Sequence, residues 1–166
     1  GNLSTTKLLP TLYDAWRQRL LPRDAIVVGY ARPAGGGGSF STSDEFRAHI
    51  AESTGAQRRG GAVAVVDSAF LERCHFEPGQ FGDGRATRAL ISRLETLEAE
   101  RIKARHLADG GAAATASRTV RMYYLATPPF LYAAICNALV EASQLRAGAG
   151  ATALDERFVL EKPFGR

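Results

Sequence analysis

Cysteine is scarce in this chain: Cys74 and Cys136 stand alone, far apart and without the close spacing that metal ligands need. That scarcity excludes a disulfide scaffold and a zinc site. Cys136 falls on the apolar side of a predicted helix, so two buried free thiols and a reducing, cytoplasmic setting are expected. No apolar run approaches the ~20 residues of a membrane-spanning helix, so no membrane partner is expected. The opening Gly1-Asn2-Leu3-Ser4 has no signal-peptide core. No internal repeat is evident. His49, His75 and His106 lack any catalytic context and read as structural or surface residues; no metal centre is expected.

The chain has 166 residues, enough for one domain with a sizeable core. Hydrophobic residues make up 45% and charged residues 23%, the balance of a globular protein. A net charge of +4 suits small anionic ligands as well as nucleic acid, so charge does not choose between them. Arginine-rich pieces such as Gln57-Arg58-Arg59 read as solvated surface.

Hydrophobic spacing organises the rest. Leu8, Leu9, Leu12, Tyr13, Trp16 and Leu20 predict an amphipathic helix from about 5 to 20, with Pro10 tolerated in its first turns. Ile26-Val27-Val28-Gly29-Tyr30 is a continuous apolar run, the mark of a strand covered on both faces. Gly35-Gly36-Gly37-Gly38-Ser39 reads as a mobile surface loop within one domain. Ser43-Asp44-Glu45-Phe46 carries helix-start chemistry for a helix to about Glu52. Val63 to Leu71 fits strand by propensity and helix by pattern, and helix is the assignment made.

Cys74-His75-Phe76 predicts a short strand closed by Glu77-Pro78-Gly79. A long helix is expected over about 84–106, then an alanine- and glycine-rich loop from Asp109 to Ser117. Arg121 to Ala126 is a strand broken by Thr127-Pro128-Pro129, and a helix follows over about 130–145. The last strand is the apolar run ending at Leu160. Such alternation predicts an α/β fold, a Rossmann-like doubly wound parallel sheet.

The chain's most informative stretch closes that last strand: Phe158-Val159-Leu160-Glu161-Lys162-Pro163-Phe164-Gly165-Arg166. Proline stops the ladder and glycine permits a bend, which leaves Glu161 and Lys162 at the carboxyl end of the strand. Ligands of open α/β sheets bind at that edge. The stretch resembles the Glu-Lys-Pro-Phe-Gly signature of glucose-6-phosphate dehydrogenases. Tyr124-Leu125-Ala126-Thr127-Pro128-Pro129, with Tyr132 beyond, is similar to that family's Tyr-Leu-Ala-x-Pro-Pro-x-x-Tyr segment. Gly1-Asn2-Leu3, followed by a helix, resembles the tail of its coenzyme fingerprint, with Asn2 where the family has an acid. Lys7-Leu8-Leu9-Pro10 and Leu12-Tyr13 match the next family positions.

The resemblance implies roles for these residues. Gly1, Asn2 and Leu3 would present a helix amino terminus to the coenzyme pyrophosphate. Thr127, Pro128, Pro129 and Tyr132 would line the nicotinamide side, the two prolines making a stiff wall. Lys162 would contact both coenzyme and sugar phosphate and orient the substrate for hydride transfer, making it the expected catalytic residue. Glu161 would be a second substrate-side residue, or only position its neighbours. Arg32, at the end of the second strand of such a fold, has no acidic competitor between Asp24 and Asp44. A guanidinium there accommodates the 2′-phosphate of NADP, where an acid would select NAD.

The whole chain is thus identified as a member of the family's amino-terminal NADP-binding domain. The expected activity is oxidation of glucose 6-phosphate to the lactone, in the pentose phosphate pathway, by a longer and homo-oligomeric parent. Glucose 6-phosphate is the expected partner, and nucleic acid is not. The family's general base is a histidine in an Arg-x-Asp-His-Tyr-Leu-Gly segment farther along a full-length enzyme, so residues 1–166 alone are expected to be inactive. Two alternatives stay open: a non-catalytic nucleotide-binding module of this fold, and a broader hexose-6-phosphate dehydrogenase. One topological expectation follows as well. The fold's first strand, absent here, would lie between the strands at 26–30 and 121–126, which should therefore not pair directly with each other.

Overall fold

A computed structural model describes residues 4–22, 24–56, 65–108, 119–147 and 154–161. The chain forms two compact units, residues 1–79 and 80–166.

In the first unit, a π-helical turn at Ser4–Leu8 leads into helix α1, Leu9–Arg17. Pro10 lies in the first turn, where its missing N–H costs no helical bond. Leu9 and Tyr13, one turn apart, bury the same face. The helix stops at Gln18, and Arg19 adopts a left-handed φ of 58°. Strand β1, Val27–Ala31, pairs in parallel with β2, Cys74–Pro78, with Gly29 opposite Phe76.

Between these strands lie helices α2, Ser43–Ala56, and α3, Ser68–Leu71. A capping box starts α2: the Glu45 amide donates to Thr42 Oγ1, and Glu45 Oε2 accepts from the Thr42 and Ser41 amides. Asp67 caps α3 by accepting from the Ala69 amide. Leu9, Tyr13, Phe46, Ile50, Val66, Phe70, Cys74 and Phe76 form the core. Gly29 makes the strand–helix contact possible, since a Cβ there would lie 2.8 Å from Phe46 Cζ.

In the second unit, helix α4 spans Gly84–Ala108, with Asp83 Oδ1 accepting from the Ala86 amide at its start. Strand β3, Thr119–Leu125, pairs in parallel with β4, Leu154–Leu160, and helix α5, Tyr132–Ala147, connects them. Leu90, Ile91 and Leu97 on α4 are buried, as are Leu125, Ala138, Leu139 and Ala142, and α4 packs against α5. Both units are strand–helix–strand crossovers, which a parallel ladder requires.

The α/β class and the parallel pairing agree with the sequence reading. Each described sheet has two strands, and a direct β1–β3 ladder is not among them. Three local assignments change. The 35–39 segment is a built turn rather than a loose loop: Ala34–Gly36 is a 3-10 turn, and the Ala34 amide closes the loop onto the Phe40 carbonyl. Of the helix expected over 63–71, residues 63–64 lie outside the described residues, and the described helix is Ser68–Leu71, started by the Asp67 cap. Cys74 is buried as expected, but Cys136 is only half-buried. The Asp109–Ser117 loop lies outside the described residues.

Candidate functional site

Strands that run in parallel bring their carboxyl ends to one edge, and several of the predicted residues follow those ends. Arg32 comes directly after β1 and is exposed. Its guanidinium lies over the glycine loop, with the Cβ position of Gly37 3.6 Å from Arg32 Nη1. Gly37 takes a φ of 83°, which favours glycine. Gly38 is required for a different reason: a Cβ there would overlap the Arg32 carbonyl oxygen. The loop therefore packs against the backbone of Arg32 and lies beneath its exposed guanidinium, which has no ion pair among the described residues.

In the second unit, β3 ends at Leu125 and runs into Thr127, Pro128 and Pro129. Pro129 opens a 3-10 turn to Leu131, closed by the Leu131 amide donating to the Pro128 carbonyl at 3.0 Å. Tyr132 is the first residue of α5. Its hydroxyl donates to the Glu161 carbonyl at 3.0 Å. The Tyr124 hydroxyl donates to Glu161 Oε1. That bond, then slight desolvation, then the charge of Glu161 hold the exposed Tyr124 phenol above its ordinary pKa. Two segments distant in sequence, 124–132 and 161, are thus brought together at the end of β4.

Thr127 Oγ1 is buried there, without a hydrogen-bond partner among the described residues. A hydroxyl in that state leaves bonding capacity for a bound group beside the two prolines. Within the first unit, exposed Arg32 offers a guanidinium suited to an anionic group. Gly1, Asn2, Leu3 and Lys162 lie outside the described residues. Among the described residues no cluster of potential metal ligands occurs, and no helix is long and apolar enough to cross a membrane.

One group of residues was missed by sequence reasoning. Arg121, on β3, is 5% exposed and holds Glu98 of α4 through Nε at 2.6 Å and Nη2 at 2.9 Å. Glu156, its cross-strand partner on β4, lies 3.8 Å from Arg121 Nη1. Glu156 Oε1 also accepts from Tyr123 Oη at 2.9 Å and Ser143 Oγ at 3.0 Å. Burial alone would lower the Arg121 pKa, but the hydrogen bond and charge of Glu98 outweigh it, so the guanidinium stays ionised. Burial and then the Glu156 bond push the Tyr123 phenol upward. The available signal was a lone arginine at an inward-facing position of an apolar strand.

Parallel strand–helix–strand units, with polar residues just past the strands' carboxyl ends, have the architecture of nucleotide-binding α/β proteins. The particular family follows from comparison. The family model described as "Glucose-6-phosphate dehydrogenase, NAD binding domain" matches residues 1–166, and the chain belongs to that family. The probable glucose-6-phosphate 1-dehydrogenase of Schizosaccharomyces pombe is 27% identical over 167 residues, covering 100% of this chain and 29% of that protein. Glucose-6-phosphate 1-dehydrogenase 1, chloroplastic, of Arabidopsis thaliana is 30% identical over 170 residues, covering 100% and 24%.

Among solved structures, a glucose-6-phosphate dehydrogenase in complex with its substrate aligns with a TM-score of 0.68 at 23% identity, over 99% of this chain and 29% of that one. The Mycobacterium avium enzyme gives 0.65 at 22%, over 99% and 28%. These structures establish the fold. The chain spans roughly a quarter of the length of the relatives it matches. Family membership assigns a nucleotide cofactor.

Proposed function

We propose that residues 1–166 are the dinucleotide-binding domain of an NADP-dependent glucose-6-phosphate dehydrogenase, with the remaining catalytic machinery elsewhere in the full-length protein. The observation that carries this reading is the Tyr132–Glu161 hydrogen bond, which joins the coenzyme-side segment to the substrate-side segment at one strand edge. The coenzyme supplies the hydride acceptor for oxidation of carbon 1 of the sugar.

The chain's own residues bind and orient. Arg32 offers an exposed guanidinium, without an ion pair among the described residues, for a 2′-phosphate, the feature that separates NADP from NAD. Pro128 and Pro129 form a stiff wall with little conformational entropy to lose, and Thr127 supplies a hydroxyl beside it. Tyr132 completes the nicotinamide side. Lys162 is a compact three-donor cation suited to sugar and phosphate oxygens, with Glu161 next to it in sequence. Gly1, Asn2 and Leu3 belong to the pyrophosphate turn. The enzyme acts in the oxidative pentose phosphate pathway in the cytoplasm, as a homo-oligomer, without membrane or nucleic-acid partners.

The test is turnover by the full-length protein of glucose 6-phosphate with NADP, followed as NADPH absorbance. Lys162→Ala should lower kcat/KM by roughly 10²-fold or more while the fold is retained, because orientation of the reacting carbon is lost. Residues 1–166 alone should produce no steady NADPH. Absence of turnover in the full-length protein, or steady turnover by the isolated chain, would overturn the assignment.

A further inference from the structure

Alternation along β3 sends its residues to opposite faces of the sheet. Arg121 and Leu125 are buried, whereas Val120, Met122 and Tyr124 are exposed. Tyr124 would be an unremarkable surface tyrosine but for where its hydroxyl goes. It donates to the carboxylate of Glu161, while Tyr132 donates to the carbonyl of the same residue. One phenol comes from β3 and the other from the start of α5. The residue they hold lies one position past β4.

The second of these bonds has a covalent consequence. The Glu161 carbonyl belongs to the planar peptide that leads into Lys162, so orienting that oxygen orients the plane. The first bond fixes the other end of the same residue. Glu161 itself lies outside the parallel ladder, which ends at the Leu125–Leu160 pair, so the two side-chain bonds restrain it. A carboxylate already accepting from a phenol is also poorly suited to face a phosphate dianion, since like charges repel.

We propose that Tyr124 is a positioning residue, which together with Tyr132 latches Glu161 at the strand end, so that Glu161 orients the peptide entering Lys162 and does not bind the sugar phosphate itself. This rests on the reading of Lys162 given above.

The experiment compares full-length Tyr124→Phe, Glu161→Ala, Glu161→Gln and the Tyr124→Phe/Glu161→Ala double variant. Tyr124→Phe should lower kcat/KM for glucose 6-phosphate about tenfold, with NADP affinity and melting temperature unchanged. Added to Glu161→Ala, it should cost nothing more, because the latch is already gone. Glu161→Gln keeps an acceptor for the phenol and should recover most of the activity that Glu161→Ala loses.

A readout independent of activity is the phenol titration of Tyr124, followed by NMR of Cζ-labelled tyrosine and assigned with Tyr124→Phe. In Glu161→Ala it should move to lower pH than in wild type. An unshifted titration overturns the latch whether or not the protein turns over glucose 6-phosphate. Full activity of Tyr124→Phe, or equal losses in both backgrounds, overturns the positioning role. A wild-type protein that does not oxidise glucose 6-phosphate refutes the assigned function, and with it the role of orienting Lys162, even where the titration shifts.

Discussion

Replacing Arg121 with methionine should destabilise the second unit far more than any surface arginine change. The guanidinium is 5% exposed, and its bidentate partner Glu98 has a side chain only 16% exposed. Removing the cation leaves Glu98 uncompensated in a poorly hydrated site. It also takes the nearby positive charge from Glu156, which keeps its hydroxyl donors Tyr123 and Ser143. Breaking a buried pair in this way costs about 3–5 kcal/mol. For a chain of this size that is a fall of roughly 6–20 °C in melting temperature.

Urea unfolding of the ligand-free protein measures the cost directly. The double variant Arg121→Met/Glu98→Met should be more stable than Arg121→Met alone. The reason is that apolar replacement of both partners removes the stranded charge together with the bond. A loss below about 1 kcal/mol for Arg121→Met would place the pair among weak surface bridges. A double variant as unstable as the sum of the singles would show that the two side chains act independently.

Other outcomes follow from single contacts. Arg32→Ala should weaken NADP binding about tenfold to hundredfold relative to NAD, since a charge-assisted bond to the 2′-phosphate is worth roughly 1.5–3 kcal/mol; equal losses for both coenzymes would assign Arg32 to folding. Gly29→Ala should cost about 1–3 kcal/mol in urea unfolding, because its methyl would meet buried Phe46 at 2.8 Å; an unchanged midpoint would show that the ring has room to shift. Burial pushes the Cys74 thiol up from 9.0 to about 12, against the opposing charge of Arg47. Alkylation of native protein near pH 8 should therefore label half-buried Cys136 and spare Cys74. The linked stability effect has a definite sign. The unfolded thiol ionises above pH 9 while the folded one keeps its proton, so stability is present below pH 9 and is lost as pH rises towards about 12.

Local pattern was enough for most of the elements. The runs at 26–30, 74–76 and 121–126 and the periodic stretches at 84–106 and 130–145 emerge as β1, β2, β3, α4 and α5, because burying one apolar face selects one period. Proline and helix-start chemistry marked several of the ends, as at Ser43–Phe46 and at Pro128–Pro129. The sequence also placed Glu161 and Thr127–Pro129 just past the carboxyl ends of strands, where they are found.

Tertiary structure decided the rest, for reasons that local pattern does not contain. Four glycines in a row at 35–38 read as a loose loop. The close approach of the Arg32 backbone turns that segment into a built support for an arginine. Arg121 reads as one more charge on a strand until register places Glu156 opposite it and packing brings Glu98 from α4. Likewise, nothing in the order of residues says that Tyr124 and Tyr132 meet at Glu161. Two hydroxyls converge there because parallel β3 and β4 end at the same edge, and the helix between them starts where that edge turns.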